Sequence, residues 1–195
     1  MLPQSVKEQL LNQRAVVIWL TGLSGSGKST LALSLQKELF SRGYLSQVMD
    51  GDLIRSGLNK DLGFSLPDRL ENIRRIAETT KLFLNCGIIC INSFITPTRK
   101  IRKSIQDIIG KENMIEIYLS ASLEFCEKRD IKGLYKKTRN GEIKNFTGIT
   151  SPFEAPVDRD IEVDSEILSI EESVAKCLPI ILERIKYEVK HSSVQ

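Results

Sequence analysis

The residues best suited to chemistry form a glycine-rich pattern, Gly-x-x-x-x-Gly-Lys-Ser, over residues 22–29. A short β-branched apolar segment precedes it (16–20), and a segment with apolar residues at helical spacing follows (31–40). Glycines let the backbone approach a ligand closely, and the start of a helix adds the positive end of its dipole. The pattern therefore predicts a loop for nucleoside triphosphate, with Lys28 at the β- and γ-phosphates and the Ser29 hydroxyl at Mg²⁺.

Two carboxylates follow the next predicted strand, residues 45–49. They are Asp50 and Asp52. The carboxyl ends of parallel strands form the edge at which α/β sheets bind ligands. A carboxylate there can hold Mg²⁺ through water or accept a proton from an attacking hydroxyl. On spacing alone, a plain polar turn is the alternative.

Basic side chains mark a predicted helix over residues 67–84. Arg69 and Asn72 lie three residues apart and so share one face near its start. Such a pair can hold a phosphate or phosphosulfate, or can hydrogen-bond a base. A solvated helix face is the alternative.

A second basic segment, residues 130–149, is interrupted by glycines and contains two aromatic residues. It predicts a mobile lid, which in phosphoryl transfer excludes water and brings cations to the developing charge. Its composition alone also suits a solvated basic loop.

The remaining periodicities complete a three-layer α/β fold of the P-loop NTPase type, with a five-stranded parallel sheet flanked by helices. We expect one domain over residues 1–195, with an N-terminal helical extension (1–14) and a lid with its following loop (about 130–156). A proline in the last helix should kink it. The other predicted elements are strands at 88–95, 114–119 and 161–164, a short helix or turn at 53–59, and helices at 99–109, 122–129 and 169–189.

Composition excludes several classes of function. The chain has 195 residues and a net charge of +3 from 28 basic and 25 acidic residues, too balanced to indicate a nucleic-acid partner. The longest apolar run near the N-terminus is too short to span a membrane. Four cysteines without a Cys-x-x-Cys pair, and a single histidine, His191, argue against zinc and against histidine-based catalysis. Free thiols and no secretory signal predict a cytoplasmic protein.

Several segments together resemble adenylylsulfate kinases (APS kinases). The resemblance covers the phosphate loop (22–30), the segment 50–64, the helix start 68–75 and the lid with its following loop (132–156), and spans roughly residues 16–164. It implies that the domain over residues 1–195 is a P-loop kinase domain, and that MgATP and adenosine 5′-phosphosulfate (APS) give ADP and 3′-phosphoadenosine 5′-phosphosulfate. The acceptor is the ribose 3′-hydroxyl, and the pathway is sulfate assimilation.

The resemblance also implies a role for each matching residue. Asp52 is the candidate base or orienter for the 3′-hydroxyl with Asp50 in support, Lys28 is catalytic, and Phe64 and Phe146 sandwich the adenine. The implied ATP-binding residues are Gly22, Gly25, Ser26, Gly27, Lys28, Ser29, Thr30 and Arg129, and Ser29 is near Mg²⁺. The implied substrate-binding residues are Asp50, Asp52, Arg55, Phe64, Arg69, Asn72, Ile95, Thr96, Lys132 and Phe146.

The chain departs from the family pattern at a few positions. Leu53 stands where the family has asparagine, so a polar contact is expected to be missing. Thr96 replaces a serine that is a candidate phosphoryl acceptor, although direct in-line transfer needs no phosphoenzyme. Thr98 replaces a tyrosine, and Asn145 and Thr150 replace acidic residues of the lid.

The resemblance further implies a homodimer, with ATP sulfurylase as a pathway neighbour. Two other functions stay open at this point. One is a related P-loop kinase with another small-molecule acceptor, and the other is a nucleotide-binding protein without catalysis. Leu53 and Thr96 are the only support for the last.

Overall fold

The structure, a computed structural model, describes residues 2–188. Five parallel strands form one sheet in the order β2-β3-β1-β4-β5, which confirms the predicted sheet. The strands are β1 (Val17–Thr21), β2 (Ser46–Asp50), β3 (Ile89–Ser93), β4 (Met114–Ser120) and β5 (Ile161–Asp164). The helices are α1 (Gln4–Leu11), α2 (Lys28–Ser41), α3 (Gly51–Ser56), α4 (Leu66–Leu84), α5 (Arg99–Ile109), α6 (Leu123–Arg129), α7 (Leu134–Arg139) and α8 (Ile170–Ile185).

The central strand explains the three layers. Every residue of β1 is buried, and successive side chains point to opposite faces of the sheet. Ile18 and Leu20 pack in a core with α2 and α8, whereas Val17 and Trp19 pack in a second core with α4 and α5. A strand buried on both faces therefore reads as a continuous apolar run rather than as an alternation.

Side-chain caps fix where several helices begin. Ser65, Thr98, Ser122 and Ser169 each accept a hydrogen bond from a backbone N–H in the first turn of α4, α5, α6 and α8. The predicted starts of these helices agree to within a residue or two. No described helix is long and apolar enough to cross a membrane.

The last helix differs from its prediction. It continues through Pro179 and ends at Ile185, and residues 186–188 are not helical. The prediction to residue 189 was therefore too long, and residue 189 itself lies outside the described residues, as does His191. At the other end of the chain, α1 is shorter than the predicted 1–14.

A short helix inside the predicted lid was missed. Helix α7 follows Gly133, whose φ of +65° favours glycine. The Asp130 carboxylate accepts hydrogen bonds from the backbone N–H groups of Tyr135 and Lys136 at 3.1 and 2.9 Å. These bonds satisfy N–H groups of the first turn that the helix leaves free, and an acidic group there also suits the helix dipole.

Candidate active site

The phosphate loop joins β1 to α2, and its geometry requires its glycines. A β-carbon on Gly22 would lie 2.7 Å from the Leu119 carbonyl oxygen, so only glycine fits between the loop and β4. Gly27 has a φ of +93° immediately before α2 begins at Lys28. The loop thus leads directly into the N-terminus of α2, where free backbone N–H groups and the helix dipole favour an anion.

Lys28 is a buried cation at this loop. Its Nζ donates to the Leu23 carbonyl oxygen at 2.5 Å and lies 3.4 Å from Ser26 Oγ. Burial lowers the pKa of Lys28 to about 8. Within residues 2–188, no carboxylate forms an ion pair with this ammonium. A polyphosphate would supply the missing negative charge.

Oxygen ligands converge beside the loop at the carboxyl ends of β2 and β3. Strand register places Asp50 opposite Ser93. Ser29 Oγ donates to Asp50 Oδ2 at 2.5 Å and lies 3.4 Å from Ser93 Oγ. The second Asp50 oxygen accepts from the Asp52 backbone N–H at 3.0 Å, which fixes the start of α3.

Asp52 lies in the first turn of α3 and forms an ion pair with Lys132 of the lid segment. Both side chains are exposed, at 72% and 57%. The lid segment thus contacts the carboxylate of the candidate base, from which Lys132 is separated by 80 residues in the sequence. The structure brings together these two residues, which the sequence assigns to one site.

Two guanidinium groups meet near Phe64 with no carboxylate partner within residues 2–188. Arg55 lies 4.4 Å from the centre of the Phe64 ring and donates to the carbonyl oxygens of Leu62 and Gly63. Arg69 lies 5.9 Å from the same ring and donates to the Phe64 carbonyl oxygen. Burial lowers the pKa of both, and the charge of Arg55 lowers that of Arg69 further. Such a pair favours an anionic ligand.

Arg69 also connects α4 to the lid segment. Its Nη1 donates to Thr147 Oγ1 at 3.1 Å and its Nη2 to the Asn145 carbonyl oxygen at 2.6 Å. These residues flank Phe146 on either side. Arg69 therefore connects the backbone of Phe64 with the residues on both sides of Phe146. The two predicted adenine-binding residues thus lie in the same region of the site.

The lid packs against the phosphate loop through a small apolar core. Leu23, Cys126, Tyr135 and Phe146 are its buried members. The Tyr135 ring meets Phe146 edge-on with centroids 4.9 Å apart. The Tyr135 hydroxyl donates to the Ser24 carbonyl oxygen at 2.8 Å. One side chain thus contacts the phosphate loop and a predicted substrate-binding ring.

Three other predicted residues lie around this site. Arg129 is exposed at the end of α6, with Nη1 3.8 Å from a β-carbon built on Gly27, so it lies beside the phosphate loop. Ile95 is half-buried just beyond β3. Asn72 is buried on α4, and its Oδ1 accepts a hydrogen bond from Asn59 Nδ2 at 3.0 Å.

Thr96 lies in a different environment from the one its predicted role requires. It is fully buried, and its hydroxyl forms a 2.6 Å hydrogen bond with the Thr21 hydroxyl. A phosphoryl group on this oxygen would have to displace Thr21 from the end of β1. We therefore do not place Thr96 among the reacting groups.

Leu53, the other main departure, points outward and is exposed. Its side chain offers no polar group at the start of α3.

Sequence reasoning missed Asn59 and Tyr135. Asn59 is a neutral amide in a turn, and residues of this type are common in turns for local reasons. Tyr135 was noticed only as one of two aromatic residues in a basic segment. Its contact with Ser24 joins segments 111 residues apart, and no local pattern reports such a contact.

The chain is similar to known proteins over most of its length. The family model for adenylylsulphate kinase matches residues 14–164. An adenylyl-sulfate kinase of Bacteroides fragilis is 56% identical over 185 residues, which is 95% of this chain and 92% of that protein. Adenylyl-sulfate kinase 3 of Arabidopsis thaliana is 55% identical over 157 residues, 80% of this chain and 76% of that one.

A solved structure is similar throughout the fold. The Mycobacterium tuberculosis APS kinase CysC, in complex with AMPPNP and APS, superposes with a TM-score of 0.81 at 38% identity. The match covers 86% of this chain and 98% of that one.

Proposed function

The chain belongs to the adenylylsulfate kinase family, and we propose that its site transfers the γ-phosphate of MgATP to the 3′-hydroxyl of APS. The products are ADP and 3′-phosphoadenosine 5′-phosphosulfate. The observation that carries this assignment is the pair Arg55 and Arg69, two guanidinium groups beside an exposed aromatic ring and without carboxylate partners among residues 2–188. An adenylate that carries a phosphosulfate offers both an anion for the guanidinium groups and a base for the ring.

Two aromatic side chains hold the adenine in this proposal. Phe64 is exposed, and the Arg55 guanidinium packs against its ring, whereas the Phe146 ring packs edge-on against Tyr135. The hydrogen bonds from Arg69 to Asn145 and Thr147 fix the distance between the start of α4 and the segment that carries Phe146. Asn72 adds a directional hydrogen bond on the same face of α4.

Phosphoryl transfer requires positioning and charge neutralisation more than covalent chemistry. Lys28 binds the β- and γ-phosphates, and its burial makes its charge more effective there than it would be in water. Asp52 accepts the proton of the 3′-hydroxyl as the oxygen attacks the γ-phosphorus. Lys132, which pairs with Asp52 through the lid, is placed to meet negative charge on the transferring group.

Mg²⁺ fits the oxygen ligands that lie next to the loop. Ser29 Oγ and the Asp50 carboxylate are hard donors in mutual contact, and no group of three or more His, Cys, Asp or Glu residues suited to a metal ion occurs among the described residues. Mg²⁺ keeps several waters and binds through few protein ligands together with substrate phosphates. We assign Ser29 as a ligand and Asp50 as a partner through water; when bound, the ion neutralises phosphate charge.

The direct test follows ADP release from MgATP with and without low micromolar APS, with AMP and adenosine as controls. We expect stimulation by APS alone, because only APS offers a phosphosulfate to Arg55 and Arg69. Stimulation by another acceptor would move the chain to a related kinase activity. ATP binding with no stimulation by any acceptor would leave a non-catalytic protein.

The pKa of Lys28 predicts how ATP affinity depends on pH. Burial lowers this pKa to about 8 in the free protein, and the cation is the form that binds phosphate. Raising the pH through 8 removes the cation, so the dissociation constant for MgATP should rise roughly tenfold between pH 7 and pH 9. Isothermal calorimetry would measure it. The variant Lys28→Arg keeps its charge in this range, so its affinity, although weaker, should stay flat; a parallel rise in both proteins would assign the effect to another group.

Assembly and location complete the proposal. We assign a homodimer, a cytoplasmic location and a separate ATP sulfurylase as the supplier of APS. The four cysteines are all free, which supports a reducing compartment. Light scattering on the purified protein measures the subunit number.

A further inference from the structure

Asn59 is a fully buried amide between α3 and α4. Its backbone N–H donates to the Ile54 carbonyl oxygen at 2.9 Å, which ties the turn after α3 to that helix. Its side chain crosses to α4, where Nδ2 lies 3.0 Å from Asn72 Oδ1 and 3.4 Å from the Asn72 backbone carbonyl oxygen. Asn59 Oδ1 is buried and has no hydrogen-bond partner. Leaving that oxygen unpaired costs free energy. The amide keeps this orientation nevertheless, so a contact at its other end must favour it.

The backbone carbonyl of Asn72 fixes it. A carbonyl oxygen can only accept a hydrogen bond, so the end of Asn59 that faces it must be the donor, Nδ2. The same Nδ2 faces the side chain of Asn72, so that the end of Asn72 nearest to it must be the acceptor, Oδ1. The Asn72 amide nitrogen is then directed away from Asn59. The fixed orientation of the buried Asn59 amide thereby determines that the nitrogen end of the Asn72 amide is left for another partner.

We propose that Asn59 is a positioning residue that makes Asn72 present its amide N–H₂, and not its oxygen, to the acceptor substrate. The inference rests on the proposed function of Asn72 in binding APS. A donor at this place suits an electron-rich partner on APS, namely a phosphosulfate oxygen, a ribose oxygen or an adenine ring nitrogen. Without Asn59, Asn72 rotates freely and presents either end, so that the substrate must select the productive orientation.

A purely structural role for Asn59 makes different predictions. It would lower stability, and it would affect ATP and APS alike, because α3 carries Asp52 and its N-cap residue Asp50 contacts Ser29 of the phosphate loop. A positioning role acts through Asn72 alone. The effect should therefore appear in the KM for APS, leave the KM for ATP unchanged, and vanish when Asn72 is absent.

A double-mutant cycle tests this with Asn59→Ser, Asn72→Ala and the double variant, in the full chain and well below the temperature of unfolding. We expect Asn72→Ala to raise the KM for APS about tenfold, the effect of one lost directional hydrogen bond. Asn59→Ser should raise it about twofold, because an Asn72 amide that presents either end equally is in the productive orientation about half of the time. The double variant should resemble Asn72→Ala. Asn72→Asp, which keeps the acceptor toward Asn59 but offers an oxygen to the substrate, should raise the KM at least as much as Asn72→Ala. If Asn59→Ser does not fold, Asn59→Ala supplies the same comparison, because it also removes the donor that faces Asn72.

The outcomes separate the two proposals. If Asn72→Ala leaves the KM for APS unchanged, the role proposed for Asn72 fails. If Asn72→Ala raises it but Asn59→Ser does not, or if the two effects multiply in the double variant, Asn59 does not act through Asn72 and this inference alone is overturned. Asn72→Asp with an unchanged KM would show that an oxygen at this position serves the substrate as well as an N–H₂ group does, which also overturns it.

Discussion

Replacement of Lys28 by methionine should lower kcat for ADP formation with saturating MgATP and APS by about a thousandfold. Methionine keeps the length of the side chain and removes the charge. Lys28 is the buried cation of the phosphate loop, 2.5 Å from the Leu23 carbonyl oxygen. In the proposed mechanism it supplies positive charge where negative charge builds up on the transferring phosphate. Steady-state kinetics with coupled detection of ADP measures the loss.

Stability distinguishes this effect from damage to the fold. Burial disfavours the charged form of Lys28, as its lowered pKa shows. The methionine variant should thus unfold at the same temperature as the parent chain or at a higher one. Lys37→Met, at an exposed position of the same helix α2, is the matched control and should keep full activity. A Lys28→Met variant that keeps a tenth or more of the parent kcat would contradict the assigned role.

The second large effect is expected at Asp52. The variant Asp52→Asn should lower kcat a hundredfold or more, which is the usual contribution of a positioned general base, with little change in the KM for APS. The amide has nearly the same shape but cannot accept the proton of the 3′-hydroxyl. A progress curve of ADP release at saturating APS measures it.

Asp107→Asn is the matched control for this variant. Asp107 is also an exposed carboxylate, at 60%, and also pairs with a lysine, Lys103, at 2.9 Å. It lies on α5, and its replacement should leave kcat unchanged. Equal losses in the two variants would show that Asp52 has no special function.

A rival role for Asp52 is to hold the lid through Lys132. The variant Lys132→Ala separates the two. If Asp52 only anchors the lid, Lys132→Ala should reduce kcat as much as Asp52→Asn, and the double variant should be no worse than either. If Asp52 is the base, the double variant should be slower than either single variant, because Asp52 and Lys132 then act on different parts of the reaction.

The sequence predicts most of the fold because its main elements depend on local patterns. The apolar, β-branched residues 17–21 indicate a strand that is buried on both faces. The backbone geometry of the following loop requires its glycines. The edge at which Asp50 meets Ser29 follows from parallel topology. Fold class, phosphate loop and acidic edge could therefore be predicted before any coordinates.

Contacts between distant segments could not be predicted in this way. Thr96 looks from its sequence position like a ligand-edge hydroxyl, but the neighbouring end of β1 buries it against Thr21. Helix α7 is only six residues long and depends on Asp130 for its first-turn hydrogen bonds, so its composition resembles a loop. Asn59 acquires its role only when α3 and α4 come together.

The apolar core beneath the lid limits how such an enzyme can be re-engineered. Its members come from three places: Leu23 from the phosphate loop, Cys126 from α6, and Tyr135 with Phe146 from the lid itself. A lid transplanted from a relative would meet a surface shaped for another partner. Exchanging acceptor preference between relatives therefore requires that these anchor positions be exchanged together, including Leu23 of the phosphate loop.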